Sequence, residues 1–264
     1  RCRRQRQMCI RDSYNNIVRI HRVYCKSVSK PDKNFNLDKA ESHHLVRALR
    51  LKEGSKVEVF DGNGKKGICS IIKLSDKSCE LHRISKIEFQ EIPSRTLTVI
   101  IPFIKKNNFN YMIQKLTEIG VNKFIVYKSD LLDQSIAKKD LEKIIDKSKE
   151  VIINVCKQCG NNFLPTVDNF NNLDQAIKQI DTDDEKYLFD TDATKYFNQD
   201  ELNDSSSISI ITGPESGFSE KELSIINKGA FKLRFLGKNI LRAETAPIVV
   251  SSLIKNHFGK INNE

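Results

Sequence analysis

The period of the hydrophobic pattern changes near Pro93, and that change splits the chain into two differently built parts. Before it, apolar residues alternate with polar or basic ones. Ile17–Tyr24 reads as a half-buried strand, and Lys56–Phe60 runs into Asp61-Gly62-Asn63-Gly64, a hairpin-turn signal. Two more strands are predicted near 66–74 and 78–87, and Ser42–Arg50 as a short helix with Leu45, Val46 and Leu49 on one face. Short strands with tight turns predict a small β-barrel over residues 14–92. Past Pro93, Leu97–Ile101 is an unbroken apolar run, the kind buried on both faces of a parallel sheet. Phe109, Met112, Ile113 and Leu116 then recur at helical spacing, with Gly120 as a stop. Strands at Lys123–Tyr127, Tyr187–Phe189 and Ser207–Thr212, with a long helix over Lys138–Cys156, predict an α/β unit with a mostly parallel sheet over residues 93–264. Residues 88–95 read as the linker, interrupted by Pro93.

The formal charge of +10 is unevenly spread over the 264 residues. Residues 1–13 hold five Arg and one Asp, residues 14–92 hold 16 basic and 10 acidic side chains, and residues 93–264 hold 23 of each. The first stretch reads as translated adapter sequence, a non-native leader ending at a composition break before Tyr14; a basic arm for nucleic acid is the competing reading. A basic barrel beside a neutral α/β unit points to a polyanionic partner, the alternative being an ordinary charged surface. Seven cysteines without a framework suit reduced thiols in a cytoplasm. No run of about 18 apolar residues is present, so no membrane span is expected, and no apolar segment follows the basic N-terminus as a secretion signal would require.

Two loops carry the chemistry. Ile211–Ser219 and Leu236–Ala246 each place glycine at a turn, entered from an apolar strand and leaving into a helix whose free N–H groups suit a polar small molecule. Ser219 with Glu222 forms a capping box, and Gly229 ends that helix. Thr245 is the expected N-cap of the last helix, with Pro247 in its first turn and Ala246, Val249, Val250, Leu253 and Ile254 as its core stripe. Cys156 and Cys159 have the spacing of half a zinc site or a redox pair, but no second pair accompanies them, and plain thiols are the alternative. His43 and His44 point to different helix faces and lack an acidic or Cys partner, so packing or RNA contact is expected in place of metal ligation. No metal site is expected. No Walker loop, Ser-His-Asp pattern or dinucleotide fingerprint is present.

These two loops, in order with His43–Gly54 and Gln114–Gly120, resemble the signature of the bacterial 16S rRNA uridine-N3 methyltransferases, the RsmE family of the SPOUT class. The resemblance covers nearly everything from Ile17 onward. It implies a PUA-like N-terminal barrel, a C-terminal trefoil knot and S-adenosylmethionine held by three loops. The implied cofactor residues are Phe189, Asp190, Thr212, Gly213, Pro214, Glu215, Gly217, Phe218, Leu236, Gly237, Ile240, Leu241, Arg242, Thr245 and Ala246. It implies a homodimer in the cytoplasm acting on 16S rRNA, with RNA expected at Arg19, Arg22, His43, His44, Arg47, Arg50, Lys105, Gln114 and Gln158. Uridine N3 is a poor nucleophile until its imide proton leaves. Arg242 is therefore the candidate for stabilising the uridinate anion, with Glu244 orienting it or relaying the proton. The chain departs from the family pattern at Ser216, at Lys157–Asn161, at Lys238-Asn239 and at Asp130. Two alternatives stay open: a SPOUT ribose 2′-O-methyltransferase, and a non-catalytic RNA-binding protein with a degenerate cofactor site.

Overall fold

The computed structural model describes residues 20–138, 140–203 and 206–261, so the 1–13 leader and Arg19 lie outside the described residues. The first sheet begins with β1 (His21–Tyr24) and β2 (Asn34–Asn36). Helix α1 (Lys39–His43) runs on as a π-helical segment, His44–Ala48, before β3 (Lys56–Phe60), β4 (Lys65–Lys73), β5 (Glu80–Arg83) and β6 (Glu88–Phe89). Strand order is β1-β3-β4-β5-β2, with β6 on β4. The β3–β4 turn closes as the residue types require: Asp61 Oδ1 accepts from Asn63 N at 2.7 Å and Lys65 N at 3.1 Å. Gly62 and Gly64 take φ of 81° and 88°. Val23, Val57, Val59, Ile71 and Leu81 close the core around Leu45.

The second sheet holds β7 (Leu97–Pro102), β8 (Lys123–Tyr127), β9 (Thr166–Phe170), β10 (Glu185–Phe189), β11 (Ile208–Thr212) and β12 (Lys232–Arg234). All its pairings are parallel, in the order β12-β10-β11-β7-β8-β9. Helices α2 (Lys106–Ile119), α3 (Gln134–Ala137), α4 (Leu141–Cys159), α5 (Leu173–Ile177), α6 (Glu220–Lys228) and α7 (Thr245–Ile261) complete the unit. Every residue of β7 is buried, and its side chains alternate between two cores. Leu97, Val99 and Ile101 meet residues of α2, α4 and α7, whereas Ile100 meets Leu173, Ala176 and Ile226 of α5 and α6.

Several expectations are corrected. The linker is partly β6. Arg95 within it is buried, stacked 4.3 Å over Phe258 and donating to Asn203 O at 3.3 Å. The long helix starts later than Lys138, because Asp140 caps it by accepting from Lys143 N at 3.2 Å, and it continues to Gly160 at φ 87°. The strand before the second loop is not apolar: β12 is Lys-Leu-Arg, its end fixed by Arg234 donating to both Glu201 oxygens at 2.6 Å. Thr245 is the first helical residue, not the cap; its N–H donates to Arg242 O at 2.8 Å. Of the α7 stripe, Val250 and Ile254 are fully buried, while Ala246, Val249 and Leu253 are half-buried. After β12 the chain passes the long β10–β11 connection. Phe235 N–H donates to Lys195 O, and Phe197 N–H donates to Phe235 O, each at 3.0 Å. This passage is where the family resemblance implies the trefoil knot, an exception to the avoidance of threaded chains.

The two sheets meet along a polar seam. Arg22 of β1, expected on the RNA, instead stacks 4.4 Å over Phe60 and pairs with Glu58 at 2.7 Å. It also reaches across to Cys156 O at 2.5 Å and to Asn162 Oδ1. Only 11 % of that side chain is exposed, so its donors are spent on the carbonyls that end α4. Lys157, one of the departures from the family pattern, pairs with Glu41 of α1 at 2.7 Å.

Lys255 of α7 donates to Asn122 Oδ1 at 2.8 Å, and no carboxylate among the described residues pairs with it. Burial, helped by the Arg95 charge, lowers its pKa to about 8. Between that value and the ordinary 10.5 the unfolded chain binds more protons than the folded one, so stability contributed here rises with pH across this window. Urea unfolding should therefore show wild type gaining on Lys255→Met as pH rises from about 8 to about 10.5. A constant difference would mean that the ammonium is hydrated in the folded protein.

Candidate functional site

A cavity of about 600 Å³ opens at the carboxyl ends of β10, β11 and β12. Sheet order reverses beside these strands, and that is where open parallel sheets place their ligands. Three loops wall it. The first begins at Phe189 and Asp190 and adds Thr191. The second brings Gly213, Pro214, Glu215, Gly217 and Phe218, and its shape follows from its residues. Gly217 N–H donates to Pro214 O at 3.1 Å, and the positive φ of 76° falls on Gly217, not on Ser216. Ser216 therefore costs no backbone strain. The capping box forms as expected: Ser219 Oγ accepts from Glu222 N at 3.1 Å, and Glu222 Oε2 accepts from Ser219 N at 2.9 Å. Asp130 joins it, accepting from Ser219 Oγ at 2.8 Å and donating its N–H to Glu222 Oε1 at 3.1 Å. At that departure from the family pattern, an acid braces the loop.

The third loop supplies Leu236, Gly237, Ile240, Leu241, Arg242 and Ala246. Gly237 has φ 153°, and no atom lies within 4 Å of where a Cβ would stand. Arg242 is 82 % exposed, with Nη1 3.8 Å from Oε1 of Glu244, whose side chain is only 11 % exposed. That pair is too long for a hydrogen bond, so the guanidinium is free to turn toward a ligand. Of the expected cofactor residues, Thr212 and Thr245 do not line the cavity. Thr212 is buried behind the wall, its hydroxyl without a hydrogen-bond partner among the described residues. Thr191, Asn239 and Ala243, which lie within the implied cofactor loops without being singled out, also line it, and sequence reasoning missed Phe235 and Asn108. Phe235 adjoins the third loop and was reachable by extending it. Asn108 comes from α2 and had no local signal.

An RNA methyltransferase domain model matches residues 90–255, and an RNA methyltransferase PUA domain model matches residues 37–82. The chain belongs to the RNA methyltransferase family. Among its relatives, the ribosomal RNA small subunit methyltransferase E of Buchnera aphidicola is 27 % identical over 247 residues, covering 92 % of this chain and 99 % of the relative. The methyltransferase E 1 of Borreliella burgdorferi is 29 % identical over 219 residues, covering 82 % and 90 %. The crystal structure of the Neisseria gonorrhoeae methyltransferase E bound to S-adenosyl methionine superposes with TM-score 0.80 at 21 % identity, covering 90 % of this chain and 98 % of that one. These likenesses bear out the resemblance read from the loops and the SPOUT fold with its PUA-like barrel.

In this methyltransferase the expected RNA residues fall into separate groups. His43 and Arg50 are exposed, and Arg47 is exposed but paired with Asp76 at 2.5 Å. His44 is half-buried at the seam, where burial and then the Lys157 charge lower its pKa. Gln158 is exposed at the end of α4, and Gln114 donates to Glu118 at 3.3 Å. Lys105 departs from all of these by lining the cavity itself. Cys156 is buried and Cys159 exposed, and among the described residues no group of three His, Cys, Asp or Glu side chains is placed to hold a metal.

Proposed function

We propose that this methyltransferase transfers a methyl group from S-adenosylmethionine to N3 of a uridine in the decoding region of 16S rRNA. The observation that carries the reading is the convergence of the three knot loops with Arg242 and Glu244 on one cavity. Similarity over nearly the whole chain to small-subunit rRNA methyltransferases, and the fold shared with one that binds S-adenosyl methionine, supports the cofactor and the rRNA substrate. A homodimer and a cytoplasmic location belong to the same reading and rest on the family resemblance.

The residues fit that cofactor. The cavity volume lies within the range of about 300–1,000 Å³ usual for small-molecule sites. Asp190, Glu215 and Glu244 set three carboxylates around it, which suits a ligand bearing a sulfonium and an ammonium. The bare backbone at Gly237 leaves the space a side chain would fill. Bound there, S-adenosylmethionine supplies an electrophilic methyl group on sulfur. Arg242, exposed at the mouth, stabilises the negative charge that builds on the uracil as its imide proton leaves. Glu244, 3.8 Å from the guanidinium, attracts it toward the cavity without fixing it and offers an acceptor for that proton.

The test uses small ribosomal subunits lacking N3-methyluridine, incubated with the protein and labelled cofactor, followed by mass spectrometry of the rRNA nucleosides. N3-methyluridine is the expected product. A 2′-O-methylated nucleoside would replace this reading with ribose methylation. No product, with no cofactor binding by calorimetry, would leave a non-catalytic RNA-binding protein.

A further inference from the structure

All three carboxylates around the cavity, Asp190, Glu215 and Glu244, come from the knot loops, which also carry Arg242 at the mouth. The wall made by the start of α2 brings no acid: Lys105 can only donate, and the Asn108 amide can donate or accept. Lys105 stands at the N-cap position of α2, and Asn108 lies one turn on, so both side chains leave the same helix face. Asn108 is half-buried, and neither side chain has a hydrogen bond or ion pair to another described residue. Polar groups in a cavity wall that no protein group satisfies are available to a ligand.

We infer that Asn108, with Lys105, reads the target base, and that the α2 wall determines specificity for uridine. The inference rests on the proposed N3 methylation. In uracil, N3 stands between two carbonyl oxygens, and both are acceptors. Loss of the N3 proton spreads negative charge onto both oxygens, so a donor to either binds the anion more tightly than the neutral base. Cytosine carries an amino group in place of one of those carbonyls. Its amino N–H groups would oppose the Lys105 ammonium, which can only donate, and would require the Asn108 amide to present its oxygen, so the two side chains could not both donate to the base as they can to the uridinate anion. By the same reasoning the carboxylates Asp190, Glu215 and Glu244 suit the cationic cofactor, and Lys105 with Arg242 suits the anionic base.

The experiment compares Asn108→Ala, Asn108→Ser and Asn108→Asp with wild type on small ribosomal subunits, measuring kcat, KM for the subunit, cofactor affinity by calorimetry and thermal midpoint. Asn108→Ala is expected to lower kcat on the order of 10²-fold, the usual effect of removing one donor to a developing anion. Asn108→Ser, which keeps a donor, should recover part of the rate. Asn108→Asp, which puts an acceptor against the anion, should fall below Asn108→Ala. Cofactor affinity and thermal midpoint should not change. Cofactor affinity falling in step with the rate would assign Asn108 to the cofactor and overturn the inference. So would equal rates for the Ala and Asp variants. If wild type itself yields no N3-methyluridine, the functional reading fails and this inference falls with it; if wild type yields it and the ordering is absent, only the inference fails.

Discussion

Lys157→Ala is expected to destabilise the protein by about 3–5 kcal/mol, the usual consequence of breaking a buried ion pair from one side. Lys157 and Glu41 stand 2.7 Å apart with only 10 % and 9 % of their side chains exposed. The second carboxylate oxygen of Glu41 is already buried without a partner. Removing the ammonium leaves a charge in the seam that must either take up a proton or draw in water by loosening the barrel from α4. Chemical denaturation measures the loss. The double variant Glu41→Gln/Lys157→Met should recover most of it, because it removes both charges while keeping similar volumes. A cost below about 1 kcal/mol for Lys157→Ala would show that the pair behaves as a solvated surface contact.

Arg242→Ala should lower the methyl-transfer rate by about 10²–10³-fold while leaving cofactor affinity and stability nearly unchanged. The physical basis is its position. Its side chain lines the cavity mouth, is 82 % exposed and is held only by the loose approach to Glu244, so little packing is lost when it is removed. What is lost is a fixed positive charge where the uridinate anion forms. Single-turnover rates with saturating cofactor and ribosomal subunits isolate that step. A protein that binds both ligands and methylates at the normal rate would remove Arg242 from the chemistry.

The fold was legible wherever the cause was local. The unbroken run at Leu97–Ile101 became the fully buried β7, and Gly120 ended α2 at φ 93°. Edge elements were not legible. β9 reads Thr-Val-Asp-Asn-Phe and is mostly exposed, and β12 reads Lys-Leu-Arg, so neither shows the apolar signal of a buried strand. Arg22 was misplaced for a related reason. An arginine on a basic strand looks like an RNA contact until the chain brings α4, more than 130 residues away, against it.

By itself the sequence determined what neighbouring residues can settle. The two-part architecture, the turn at Gly217, the capping box at Ser219 and the wording of the two loops all depend on backbone angles and hydrogen bonds within a few positions. Only the tertiary structure decided which side chains share a space. It drew Arg22 and Lys157 into the domain seam, left Thr212 behind the cavity wall and brought Lys105 and Asn108 of α2 to the same cavity as Glu244. Ion pairs and cavity walls are made by packing elements far apart in the chain, and no local preference records which of them will meet.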